Sequence, residues 1–233
     1  MSNTSYRTRA LTILALFLVP AAACASIVVP AGLSPGDNYH LAFVTSGQRD
    51  ATSSNIDDYN DFVNDQAGLS GAITKDWGID WFAIGSTASV DARDNAVVSA
   101  PVYLLDGTTQ IATGYADMWE GALLHEIDTD QLDANVSAVG IWTGTDEVGR
   151  GAAGAPLGSV TAFSTLGLSG YPPTQWLSYF TGMNKLVNFQ LYALSEPLTA
   201  PPANPIPEPT SLLVWAGLAT AGVWVTRRRR RKP

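Results

Sequence analysis

Apolar positions follow three different rhythms along this chain of 233 residues. Near each end they form an unbroken run, Leu11 to Val19 and Leu212 to Val225. Between them, Tyr39, Leu41 and Phe43 alternate with His40, Ala42 and Val44, the period of a β-strand with one strongly apolar face. Val187, Phe189, Leu191 and Ala193 repeat that period near the end of the middle region and predict a closing strand. Ile56, Tyr59, Phe62, Val63 and Ala67 instead recur at helical spacing and predict an amphipathic helix over Ser54 to Ala67. Ser54 fits its N-cap, with Asp57 at the capping-box position. Asp57 and Asp58 suit the N-terminal dipole. Gly68 fits a left-handed stop, with Leu69 closing the hydrophobic contact.

Shorter signals fill the interval. A strand is predicted near Trp81 to Gly85, a polar loop or short helical turn over Val90 to Asn95, and a strand over Pro101 to Leu105. Asp106-Gly107 marks a hairpin whose return runs Thr109 to Thr113. Tyr115 to Leu124 reads as a loop with one helical turn, and Gly140 to Thr145 as a short strand. Gly149 to Gly170, rich in Gly, Ala, Ser and Thr, predicts long surface loops of the kind that carry binding. From Pro197 to Pro209, six of thirteen residues are proline, the composition of a stiff extended spacer. The expected fold class is α+β: one domain of short antiparallel strands, one clear amphipathic helix and long loops, flanked by an N-terminal signal helix and a short C-terminal membrane helix.

The two terminal runs differ in their flanks. Arg7 and Arg9 precede the first, and Pro20 and Ala21-Ala22-Ala23-Cys24-Ala25 follow it, the pattern of a secretory signal peptide cleaved after Ala25. Cys24 leaves a lipoprotein alternative, with Ala21 standing where leucine is usual. The second run follows Pro207-Glu208-Pro209 and precedes Arg227, Arg228, Arg229, Arg230, Arg231 and Lys232. Prolines fix φ and lack the amide donor, so the tripeptide is not helix interior. A fourteen-residue helix over residues 212–225 rises about 21 Å, short of the ~30 Å hydrocarbon core. The arginines act as a basic stop held on the cytoplasmic side.

The motif, the short apolar helix and the basic end together resemble the PEP-CTERM sorting tail of Gram-negative bacterial exported proteins, which exosortases recognise. The resemblance covers residues 207–233. It implies an inner-membrane intermediate, exosortase and the secretion machinery as partners, and a final place at the cell surface or in the extracellular matrix. An ordinary tail anchor is the alternative. The expected organisation is a signal peptide at 1–25, an extracytoplasmic domain at 26–196, a proline-rich spacer at 197–206 and the sorting segment at 207–233.

Charge changes once the ends are set aside. Residues 26–206 hold five cations (Arg49, Lys75, Arg93, Arg150 and Lys185) against twenty acids, a formal net charge of −15, where the whole chain carries −8. Such a field repels nucleic acid and argues against it as a partner. Cys24 is the single cysteine of the chain. With it removed, the domain has no thiol for disulfides, nucleophilic catalysis or zinc–thiolate ligation. Five tryptophans and a length of about 180 residues suit one domain with a sizeable core.

Candidate chemistry is sparse. His40 sits within a strand and reads as structural. His125 lies beside Glu126, Asp128, Asp130 and Asp133; Asp128, Asp130 and Asp133 are the candidate ligand or calcium loop. Leu132 occupies a ligand position of an EF-hand and the sixth-position glycine is missing, so the default is a solvated acidic loop. Asp57, Asp58, Asp61 and Asp65 read as a solvated helix face. Gly32-Leu33-Ser34-Pro35-Gly36 matches G-x-S-x-G but precedes a strand, so it reads as a turn. No cofactor and no metal is assigned, and the domain is expected to be non-catalytic.

Trp81-Phe82-Ala83-Ile84-Gly85-Ser86, Val90-Asp91-Ala92-Arg93-Asp94, Pro101 to Gly107, Ala116-Asp117-Met118-Trp119, Ile141-Trp142-Thr143-Gly144-Thr145 and Phe189 to Ala193 resemble a bacterial C-type-lectin-like domain of the endostatin-like kind, over Asn38 to Pro197. That implies a lectin-like fold. The disulfides usual in that fold are missing, and so are Glu-Pro-Asn and Trp-Asn-Asp, so calcium-dependent sugar binding does not follow. The expected function is a sorted surface or matrix protein that binds polysaccharide or another protein. A carboxylate-dependent extracellular hydrolase and a purely structural envelope or biofilm component are the alternatives.

Overall fold

The computed structural model describes residues 26–120, 122–170 and 175–202. The signal segment, the sorting motif Pro207-Glu208-Pro209, the apolar helix at 212–225 and Arg227 to Arg231 lie outside the described residues. Among the described residues no helix is long and apolar enough to cross a membrane.

The fold is mixed, mostly strands with few helices. In chain order it runs β1 (Asn38–Val44), α1 (Asp57–Ala67), β2 (Trp81–Ala83), α2 (Ala92–Asn95), β3 (Val102–Leu104), β4 (Gln110–Ala112), α3 (Tyr115–Trp119), β5 (Gly140–Trp142), β6 (Phe163–Leu168), β7 (Phe180–Asn184), β8 (Tyr192–Ser195) and β9 (Leu198–Thr199). The main sheet has the order β2-β8-β1-β3-β4, with β9 also paired to β1, and a second sheet has the order β5-β6-β7. The expectation of antiparallel strands throughout is corrected at one pair. β1 and β3 run parallel, with Ala42 opposite Leu104, while β8 pairs antiparallel on the other side of β1.

β1 sits at the centre because both its faces are apolar. Leu41 and Phe43 join a core cluster with Tyr59, Val63, Trp81 and Trp142. Ala42 and Val44 join a second cluster with Ile84, Trp119, Trp176 and Tyr192. The alternation predicts one apolar face; with clusters on both sides the strand reads as a buried run. Phe43 meets Trp81 edge-on at 4.8 Å, and Trp119, Trp176 and Tyr192 form a chain of ring contacts on the opposite side.

Five further expectations are corrected. α1 starts at Asp57, three residues after the predicted Ser54, and its first amide is taken not by Ser54 but by Asn55, whose Oδ1 accepts from Asp57 N at 3.2 Å. The segment before it is held elsewhere: Gly158 packs against Ser53 and Ser54, and its amide donates to Ala51 O at 2.9 Å. Gly68 has φ −85°, so the helix does not stop in the left-handed conformation, and Leu69 is exposed. The predicted loop over Gly149 to Gly170 contains β6, whose Ser164, Thr165 and Leu166 are buried. The closing strand predicted from Val187 is β8, which begins only at Tyr192, and the expected spacer starts inside the fold. Leu198 and Thr199 form β9 against Asn38 and Tyr39, with Leu198 and Ala200 buried.

β2 is an edge strand whose outer groups are taken by asparagines. Asn64 accepts from Trp81 N at 3.0 Å and donates to Trp81 O at 2.7 Å. Asn60 accepts from Ala83 N at 2.9 Å, and Asn95 donates to Ala83 O at 2.8 Å. Asn60 and Asn64 stand four apart on α1, the spacing that puts both on one helix face. Their amides occupy the hydrogen-bonding positions that a further strand would use, which closes the edge to other chains.

Candidate functional site

The loop after β2 and the long loop after β5 meet and form a cleft. Ser86 N donates to Thr143 O at 2.8 Å, and Leu157 N donates to Ser86 O at 2.8 Å. Gly144 lies at this crossing with φ +58°, and a Cβ there would overlap Leu157 N and Ser86 O. Ser86 Oγ accepts from Ala92 N at 2.8 Å and sits 3.1 Å from Thr145 Oγ1, tying the start of α2 to the same point.

Asp91 stitches the second side. Its Oδ1 accepts from Gly151 N at 2.8 Å, and its Oδ2 lies 3.5 Å from Arg93 Nη2. Arg93 N in turn donates to Gly149 O at 3.2 Å. Asp146 holds the tip of the long loop by accepting from Val148 N and Arg150 N through Oδ1. These bonds fix Arg150 beside Gly151, where its exposed side chain lines the cleft.

The cleft has a volume of about 450 Å³, within the roughly 300–1,000 Å³ of small-ligand sites. Thr87, Asp91 and Arg150 supply its polar groups; Ala88, Ala152 and Gly154 keep the walls low. Thr87 is buried, and its Oγ1 accepts from Ser89 N and Val90 N, so it braces the loop. The Arg150 guanidinium has no hydrogen-bond or ion-pair partner among the described residues, whereas Arg49 lies 4.1 Å over the Tyr59 ring and also donates to Asp58 O. Arg150 is the one arginine in the lining; Arg93 reaches the cleft only through its ion pair with Asp91. Its lining contains a single carboxylate, Asp91, and hydrolysis by paired acids needs two.

The predicted candidates fall elsewhere. Asp130 is buried, with Oδ1 accepting from Leu132 N at 2.8 Å and Ala134 N at 2.9 Å. Asp128 accepts from Asn135 Nδ2 at 3.0 Å and from Thr129 Oγ1 at 3.3 Å. Asp133 is exposed at φ +65°. The carboxylates of Asp128 and Asp130 anchor their own loop. Among the described residues no group of three or more His, Cys, Asp or Glu side chains gathers as metal ligands. His125 is exposed, with Nδ1 3.0 Å from Glu126 O. Ser34 lies in a turn, its amide donating to Asp37 Oδ2 at 2.7 Å.

His40 is buried on β1. Nδ1 faces Ser195 O at 2.9 Å, which requires Nδ1 to carry hydrogen; Nε2 accepts from Ser99 N at 3.2 Å. Burial pushes its pKa below the ordinary 6.5, despite backbone carbonyls that favour the charged form. The ring is a neutral structural bridge between β1, β8 and the segment before β3.

Neither the protein-family models nor the curated proteins give a match to this chain. The cleft is not legible in the sequence because Asp91 and Arg150 are far apart along the chain and form no motif. The available signal is composition: an arginine inside a Gly- and Ala-rich stretch of an acidic domain.

Proposed function

We propose that this chain is an exported, exosortase-sorted protein of the cell surface or extracellular matrix, whose domain binds polysaccharide without catalysing a reaction. The observation that carries the reading is the pairing of the two ends: a basic and apolar leader closed by small residues, and a tail of Pro207-Glu208-Pro209, a short apolar run and Arg227 to Arg231. A leader directs the chain across the inner membrane. A helix too short to span comfortably, with cations after it, suits transient residence there.

Three further observations support an extracytoplasmic binding domain. Residues 26–202 hold no cysteine, so folding needs no thiol chemistry. The order of strand, helix, tryptophan strand, hairpin, the strand ending at Trp142, the β6–β7 pair and the closing strands β8 and β9 supports the C-type-lectin-like reading. The cleft between Asp91 and Arg150 offers hydroxyl-matching polar groups on small-residue walls.

Intact mass and cell fractionation of the native protein, with and without exosortase, test the sorting half. The expected mature species lacks the first twenty-five residues and the tail from about Pro207 onward, and leaves the inner membrane only when exosortase is present. A full-length tail retained in the inner membrane with exosortase present overturns it in favour of a tail-anchored periplasmic domain.

A further inference from the structure

We infer that the cleft between the β2–α2 loop and the long loop after β5 takes a carboxylate-bearing glycan, a uronic-acid polymer, with the Arg150 guanidinium holding the sugar carboxylate. The inference rests on the glycan-binding half of the reading above and names the class of sugar. A planar guanidinium presents its donors in a fork that matches a carboxylate bidentately. Arg150 is set at the cleft by two hydrogen bonds of its main chain, Arg150 N to the Asp146 carboxylate Oδ1 at 2.8 Å and Asp146 N to Arg150 O at 2.8 Å. Its side chain has no partner among the described residues, unlike those of Arg49 and Arg93.

The surroundings define the rest of the ligand. Asp91 gives one oxygen to Gly151 N, and its other oxygen, 3.5 Å from Arg93, faces a weak ion pair that leaves acceptor capacity for a hydroxyl. Ala88, Ala152 and Gly154 leave the backbone low, so a flat ring can lie against it. Arg93 lies outside the lining and is paired with Asp91, so Arg150 is the one cation among the lining residues, on a domain whose formal charge is −15. That field opposes a free polyanion at long range. Selection therefore rests on close contact at Arg150.

The test is calorimetric titration of the full chain, purified in detergent, with tetragalacturonate, its methyl ester and a neutral tetraglucose. The expected result is binding of the acid about tenfold or more tighter than its ester. Arg150→Gln removes that preference, Arg150→Lys keeps part of it, and Lys75→Gln, which lowers net charge equally away from the cleft, leaves it intact. A thermal melt of Arg150→Gln matching the parent excludes misfolding as the cause. Equal affinity for acid and ester, or an unchanged preference in Arg150→Gln, overturns the assignment and leaves glycan binding standing. Silence toward all three sugars overturns both the cleft assignment and the glycan-binding half, while the sorting half keeps its own mass measurement.

Discussion

His40 shows how one residue can tie pH to stability without taking part in function. Its Nδ1–H donates to Ser195 O and its Nε2 accepts from Ser99 N, so a second proton would expel an acceptor from a buried site. The unfolded ring titrates near 6.5 and the folded one lower. Between the two values the unfolded chain binds more protons than the native one, so stability falls as pH drops through that window and is fully present above it. In His40→Asn this contribution is gone. The gap in urea midpoint between parent and variant is expected to narrow from about pH 7.5 to about pH 5; a constant gap refutes the linkage. Gly144 sets a second constraint. Its φ of +58° and the overlap a Cβ would make with Leu157 N and Ser86 O predict that Gly144→Ala costs about 2–4 kcal/mol in equilibrium unfolding. The Trp-Thr-Gly stretch is legible as a strand end, but the need for glycine comes from the Ser86–Leu157 crossing, which no local pattern contains.

At the scale of elements, the asparagine-capped edge of β2 is the feature with the clearest energetic consequence. Asn64→Ala strips partners from Trp81 N and Trp81 O at once. Water reaches this partly buried edge in part, so the expected loss is about 2 kcal/mol, with faster amide exchange at Trp81 than at Leu41. Unchanged exchange at Trp81 would mean that β8 alone holds the strand. Sequence reasoning reaches α1 because Tyr59, Val63 and Ala67 keep helical spacing and are buried. It reaches β1, β3 and the Asp106-Gly107 turn because alternation and turn chemistry are local. Asn60 and Asn64 pass as ordinary polar positions, since their task depends on where β2 lies. β6 escapes because Ser164 and Thr165 are small and polar yet buried, Ser164 donating to the carbonyls of Ala155 and Pro156. β9 escapes because its proline neighbours mask a two-residue pairing made across the whole length of the domain.

For the whole molecule, charge is the dominant setting. Twenty acids against five cations over residues 26–206 repel one another across the surface. Little of that charge is neutralised by direct contact: Asp91 and Arg93 form a single ion pair among the described residues. Raising salt from about 0.01 M to about 0.1 M shortens the screening length from roughly 30 Å to 10 Å, so Tm of the full chain is expected to rise by a few degrees. A flat or falling Tm would mean the acids are already locally compensated. The pairing of β1 with strands from both ends of the domain also governs timing during synthesis. One neighbour of β1, the strand at Val102–Leu104, is made early; the other, Tyr192–Ser195, is made almost last. Until then Leu41 and Phe43 sit on a strand with an open side. A nascent chain can therefore close its central sheet only once residues 192–195 have been made.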